Sequence, residues 1–212
     1  MNRRDFALRL PLAGATMLAA GTVHAQGEPV EGKDYVRLAQ PIAMPAGAKI
    51  DVVEFFGYWC PHCNAFEPSL ETWVKKLPAN VVFRRVPVAF SGAHEPYQRM
   101  FYALEALGQL DAVHRKIFAA VHLQKMRFDK ESDVVAFVSA NGVDAAKFSD
   151  AYKSFGVQSK LRQAKQLSDA YRIDGVPTLG IHGRFFTSPS VAGGPDRALQ
   201  VADALIQRVS KG

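Results

Sequence analysis

Ile50-Asp51-Val52-Val53-Glu54-Phe55-Phe56-Gly57-Tyr58-Trp59-Cys60-Pro61-His62-Cys63 passes from a strand pattern into a helix start within fourteen residues. Its first half is rich in β-branched and aromatic residues, which predicts a buried strand over 50–56. Gly57-Tyr58-Trp59 turns the chain. Pro61 suits the first helical position, where the N–H it lacks would be unpaired anyway. The helix is expected to run from Pro61 toward Leu77, with Pro68 as a site for a kink. Cys60 and Cys63 are the only cysteines of the chain. A structural bridge more often ties distant segments, because longer loops gain more from closure. Two thiols three residues apart at a helix start instead suit thiol–disulfide exchange, one sulfur exposed as nucleophile and the other resolving a mixed disulfide.

That placement also sets a direction. The unpaired N–H groups of the first turn and the positive end of the helix dipole point toward Cys60 and favour its thiolate. His62 adds a donor and, when protonated, a positive charge. Only the reduced protein carries the thiolate, so it is the reduced form that gains, and each tenfold in acidity moves the couple by roughly 30 mV toward a stronger oxidant. The competing readings are half of a zinc site and an incidental structural disulfide. A closed zinc site needs four ligands, and the sequence offers no second Cys-x-x-Cys and no close pair of histidines.

Outward from this segment, Tyr35–Leu38 suggests a short strand and Val81–Val88 another, ending near Pro87. From Pro96 to about Arg172 the period becomes helical. Met100, Ala103, Leu104 and Leu107 form one stripe with Gly108 as its stop. Phe148, Ala151, Tyr152 and Phe155 form a second, with Asp144 as N-cap and Gly156 as C-terminal stop. Such stripes read as core. Gly175-Val176-Pro177-Thr178 opens a strand through Ile181, and His182-Gly183 turns it into Arg184–Thr187. A last amphipathic helix spans Asp196 to Val209. His94, His114 and His122 lie in or near the helical block without metal-ligand company, and read as packed or solvated side chains. Tyr58 and Trp59 are either an apolar rim around the cysteines or packing residues.

The N-terminus reads as an export signal. Arg3, Arg4 and Arg9 precede the uncharged stretch Leu10–Ala20, and Val23-His24-Ala25 places cleavage after Ala25. Arg3-Arg4-Asp5-Phe6 fits a twin-arginine motif or an ordinary Sec signal equally. Without residues 1–25, 187 of the 212 residues remain, enough for one domain or one with a large insertion. Arg3, Arg4 and Arg9 depart with Asp5, so the net charge falls by two, from +6 to +4. No long basic run points to nucleic acid. An exported protein meets an oxidising compartment, where a disulfide persists.

Glu54-Phe55-Phe56, Trp59-Cys60-Pro61-His62-Cys63 and Gly175-Val176-Pro177 together resemble the DsbA family of periplasmic thiol oxidases. The resemblance covers essentially the whole exported chain. It implies an α/β thioredoxin fold with an inserted all-helical domain: a signal at 1–25, a first half at 26–90, the insertion at 91–165 and a second half at 166–212. It further implies a monomer in the periplasm that donates its Cys60–Cys63 disulfide to reduced, newly exported proteins without metal or organic cofactor. Reoxidation would fall to a membrane quinone reductase of the DsbB type. Cys60 would be the exposed nucleophile, Cys63 the buried resolving thiol, and His62, beside Pro61, the tuning residue. Pro177 would be a cis-proline facing the disulfide, with Val176 offering backbone hydrogen bonds to an extended substrate. Glu54 would lie beneath the disulfide and relay a proton for Cys63, or else form a structural ion pair. Alternation lets only one of Arg84 and Arg85 face it, and spacing favours Arg85. Other functions open to the same fold are a disulfide reductase or isomerase and a peptide-binding chaperone. Only 34 residues, 26–59, precede Cys60, which leaves little room for the dimerisation domain of an isomerase.

Overall fold

The computed structural model describes residues 27–45 and 47–211. The export signal read at 1–25 lies outside the described residues. Five strands form one mixed sheet: β1 (Val36–Arg37), β2 (Ile50–Phe56), β3 (Val81–Pro87), β4 (Thr178–Ile181) and β5 (Phe185–Thr187), in the order β1-β5-β4-β2-β3. β2 runs parallel to β3, while β4 and β5 are antiparallel to their neighbours. The parallel pair needs a crossover, and α1 (Pro61–Val74) supplies it.

The central strand β2 has the bounds the sequence predicts, and from Val52 to Phe56 it is wholly buried. Its residues alternate between the two faces. Val52 joins Phe66, Leu70 and Trp73 of α1 in one apolar cluster, together with Leu199, Val201 and Leu205 of α8 (Pro195–Ser210). Val53 and Phe55 join the other cluster, built with α2 (Glu95–Ala106), α3 (Leu110–His122), α4 (Glu131–Ala140), α5 (Ala145–Lys153) and α6 (Phe155–Tyr171). Glu54 therefore faces α1 with the first set. The helical block packs on the opposite face and wraps the end of β2, where Phe56 meets Phe101 of α2 and Phe118 of α3.

α1 continues through Pro68 but stops at Val74, short of Leu77. Pro78 disfavours the helical conformation at Leu77, and the chain must already turn into β3. The hairpin between β4 and β5 turns at His182 and Gly183, both with positive φ (49° and 64°), where Gly is the natural occupant. A short helix, α7 (Pro189–Ala192), precedes α8.

One stripe is split. Asp144 caps α5 as expected, its side chain accepting from the Lys147 N–H, but the helix ends at Lys153. Ser154, extended at φ −63° and ψ 152°, closes α5 and caps α6, accepting from the Val157 N–H. Gly156 is thus inside a new helix rather than a stop. Phe155, at the first position of α6, is 79 % exposed instead of buried. The serine cap redirects the helix axis and carries Phe155 off the stripe. α6 also runs unbroken across residues 165 and 166, where the sequence placed the end of the insertion.

Candidate active site

The strand β2 delivers Gly57 and Tyr58 to the edge of the core, and the chain turns there into α1. Gly57 lies under the Trp59 indole: a Cβ on it would fall 2.5 Å from Nε1, so a larger residue would displace the ring. Cys60 occupies the N-cap of α1 with extended backbone (φ −87°, ψ 118°), and its sulfur accepts from the Cys63 N–H at 3.4 Å. Pro61 takes the first helical position, and no acidic residue stands in the first turn. The first turn thus offers the negative charge of a thiolate N–H donors and no carboxylate.

Both cysteines are reduced in this structure. Cys60 is not exposed as expected: it is 4 % exposed against 0 % for Cys63. The loop before β4 lies over it, the Cys60 thiol donating to the Val176 carbonyl at 3.4 Å. The Val176–Pro177 bond is cis, so this loop adopts the conformation the resemblance implies.

The two thiols are driven apart in acidity. A hydrogen bond from the Cys63 thiol, aided by the N–H groups of Cys63 and His62 and by the His62 charge, brings Cys60 from 9.0 to about 6, against the opposing effect of burial. The His62 charge is the smallest of these causes. Burial pushes Cys63 far upward, reinforced by its hydrogen bond to Cys60 and by the nearby charges of Glu54 and Cys60. One sulfur readily carries charge at neutral pH; the other must hold a proton.

Beneath them lies a buried ionic cluster, only part of which the sequence suggested. Arg85 pairs with Glu54 across the β2–β3 register, Nε to Oε2 at 3.0 Å. Arg84 points to the other face and holds Asp51 at 2.8 and 2.9 Å, as strand alternation requires. Arg85 also donates to Glu67 of α1. Glu54 is 0 % and Glu67 3 % exposed, and one oxygen of each, Glu54 Oε1 and Glu67 Oε2, has no hydrogen-bond partner among the described residues. Burial first, then the Glu67 charge, raises Glu54 to about 8 despite Arg85. At neutral pH Glu54 is mostly a protonated acid.

Glu67 was missed, although it stands four residues after Cys63 and so shares its helix face. His114 was read as a packed or solvated histidine, and it is packed: it bridges Glu67 Oε1 (Nε2, 3.2 Å) and the Tyr58 hydroxyl (Nδ1, 2.6 Å). His122 Nε2 lies 2.8 Å from the Tyr58 carbonyl oxygen. Tyr58 is thus a core residue, 0 % exposed, with its ring against Phe56 and Phe118. Trp59 is half-buried at the surface, stacked on His94 at 3.9 Å and edge-on to the half-exposed Phe90. The apolar rim therefore consists of Trp59, His94 and Phe90 rather than Tyr58. Among the described residues no three His, Cys, Asp or Glu side chains gather as a metal site would need.

A model of the DSBA-like thioredoxin domain matches residues 85–205, and one of thioredoxin matches residues 42–94. The chain is 43 % identical over 195 residues to the thiol:disulfide interchange protein DsbA of Burkholderia cepacia, covering 91 % of this chain and 92 % of that one. It is 39 % identical to the protein of the same name from Azotobacter vinelandii, over 97 % of each. The crystal structure of Pseudomonas aeruginosa DsbA superposes with a TM-score of 0.81 at 39 % identity, over 85 % of this chain and 94 % of that one. That of the oxidoreductase DsbA from Xylella fastidiosa gives 0.81 at 28 % identity, over 88 % and 100 %. With its strand–Cys-x-x-Cys–helix core, its cis-proline loop and its helical block, the chain belongs to the DsbA family of thioredoxin-fold proteins.

Proposed function

We propose that this protein oxidises thiol pairs in exported polypeptides, giving up a Cys60–Cys63 disulfide. It is a protein disulfide oxidoreductase, and the observation that carries the direction is the Cys60 sulfur at the N-cap of α1, accepting from the Cys63 N–H with no acidic residue in the first turn. A substrate thiolate attacks Cys60 Sγ; the bond to Cys63 breaks and Cys63 leaves with the electron pair. Cys63 cannot remain a thiolate in its apolar surroundings, so it takes the proton of Glu54, which becomes a carboxylate paired with Arg85. That proton sits on Oε1, the oxygen that accepts nothing from Arg85. A second substrate thiolate then attacks the substrate sulfur of the mixed disulfide, and Cys60 departs as the stabilised thiolate. The substrate is oxidised to a disulfide and the protein is left as the dithiol.

His62 and the Pro61-led first turn stabilise that leaving group. Val176, whose carbonyl accepts from the Cys60 thiol, and Pro177 form the ledge on which an extended substrate strand lies. Trp59, His94 and Phe90 give it an apolar margin. Residues 91–165 serve as the helical insertion between the halves 26–90 and 166–212, with α6 shared at the second junction. The signal at 1–25 directs the protein to the periplasm, where it works as a monomer and is reoxidised by a membrane quinone reductase of the DsbB type. A reductase is ill served by so acidic a Cys60, since that acidity stabilises the reduced protein and makes it a poor electron donor. Equilibration of the purified protein with glutathione at known ratios tests the direction. A couple well above the glutathione couple supports the donor; one below it identifies a reductant.

A further inference from the structure

His114 does something the interchange reaction described above does not use. It comes from α3, in the helical block, yet it reaches across to the face of α1 that carries Cys63 and Glu67. It is 6 % exposed, and both ring nitrogens are engaged. Its two titratable partners are Tyr58 from the turn after β2 and Glu67 from α1; Glu67 in turn meets Glu71 of α1 and Arg85 of β3, and Arg85 pairs with Glu54. Arg115 of its own helix holds Glu71 at 2.7 Å and lies toward solvent.

The hydrogen bonds fix the protonation pattern. Burial pushes the Tyr58 hydroxyl well above its ordinary range, so it remains a donor. Among the described residues its one hydrogen-bond partner is His114 Nδ1, which must accept. Nε2 then carries the only ring proton and donates it to Glu67 Oε1. A second proton on the ring would turn Nδ1 into a donor and strand the tyrosine hydrogen in the core. The imidazole is therefore held neutral. It solvates the Glu67 carboxylate without cancelling its charge, and Glu67 is the neighbour whose charge bears most strongly on Glu54.

We propose that His114 is a positioning residue of the redox centre: set as an Nε2–H donor by Tyr58, it fixes the Glu67 carboxylate against the Arg85 that also pairs with Glu54, the acid that gives its proton to Cys63. The use of that proton rests on the function proposed above; the hold on Glu67 does not. The helical block thereby contributes to the chemistry through His114, without touching the substrate.

The test is an NMR titration of the Glu54 side-chain carbon in labelled, reduced protein, alongside the pH profile of disulfide transfer from oxidised protein to a peptide dithiol. In His114→Leu the Glu67 carboxylate keeps Arg85 as its one remaining donor among the described residues, its negative charge is held less firmly beside Glu54, and Glu54 becomes more acidic, by up to about tenfold. His114→Gln, which retains an N–H donor, restores the parent midpoint. An unchanged Glu54 midpoint in His114→Leu overturns the proposal. Should that variant not fold, the nitrogen shifts of the His114 ring in the parent protein decide. A neutral ring protonated on Nε2 at neutral pH supports the lock, and a charged ring or the Nδ1–H tautomer overturns it. The midpoint reads the coupling and the alkaline limb of the transfer rate reads proton donation, so the two can fail separately. If Glu54→Gln leaves that limb in place while the His114 variants move the midpoint, the coupling stands and the proton-donor role of Glu54 falls.

Discussion

The Cys63 N–H points at the Cys60 sulfur from 3.4 Å, so the residue that caps helix α1 is also the residue whose charge that helix stabilises. Strand, turn and helix start thus form a single electrostatic device. The sulfur that must leave is placed where anions are stabilised, and its partner is placed where they are not.

Reduced protein is expected to melt above oxidised protein at neutral pH, because only the dithiol carries the Cys60 thiolate. Its folded acidity, about 6, lies below the ordinary 9.0 of an unfolded thiol. The gain is therefore complete above the unfolded value and disappears as pH falls through about 6. Calorimetry of both forms from pH 5 to pH 9 checks this; an oxidised form that melts higher throughout contradicts it.

Replacing His62 by Ser should raise the Cys60 midpoint by less than about one pH unit and lower the potential by at most roughly 30 mV. The effect is small because hydrogen bonds from Cys63 and from the backbone outrank the His62 charge. Ultraviolet titration of the thiolate measures the first quantity and glutathione equilibration the second.

Glu54→Gln should flatten the stability profile on its alkaline side. Glu54 is raised from 4.5 to about 8 on folding, so its contribution is present at low pH and is lost as pH rises through about 8. An amide mimics the protonated acid and does not ionise. Urea unfolding at pH 6 and pH 9 should show the parent losing more stability than the variant between the two; equal losses speak against a protonated Glu54.

The neighbouring arginines should differ sharply. Arg85→Met leaves the buried Glu67 side chain and the Glu54 acid without their shared cation and should cost about 3–5 kcal/mol. Arg84→Met breaks a pair with Asp51 whose arginine side chain is 43 % exposed, and should cost about 1 kcal/mol or less. Denaturant unfolding of the two variants separates these outcomes.

Much of this site could be read locally. The bounds of β2, the helix start at Pro61, the hairpin at His182-Gly183 and the Glu54–Arg85 pairing all follow from neighbours in sequence or from strand alternation. What escaped was set by tertiary assembly. Tyr58 and His114 are 56 residues apart and His114 and Glu67 are 47 apart, so no local spacing announces their hydrogen bonds. Nor did periodicity show that Ser154 would end one helix and begin another, since the apolar stripe continues through it to Phe155. The cover over Cys60 likewise comes from a loop more than a hundred residues away.

The reactivity of Cys60 toward an alkylating agent, followed against pH in the reduced protein, tests most directly whether this sulfur carries charge at neutral pH. A midpoint near 6 is expected. A midpoint near 9, that of an unstructured thiol, would remove the physical basis for disulfide donation.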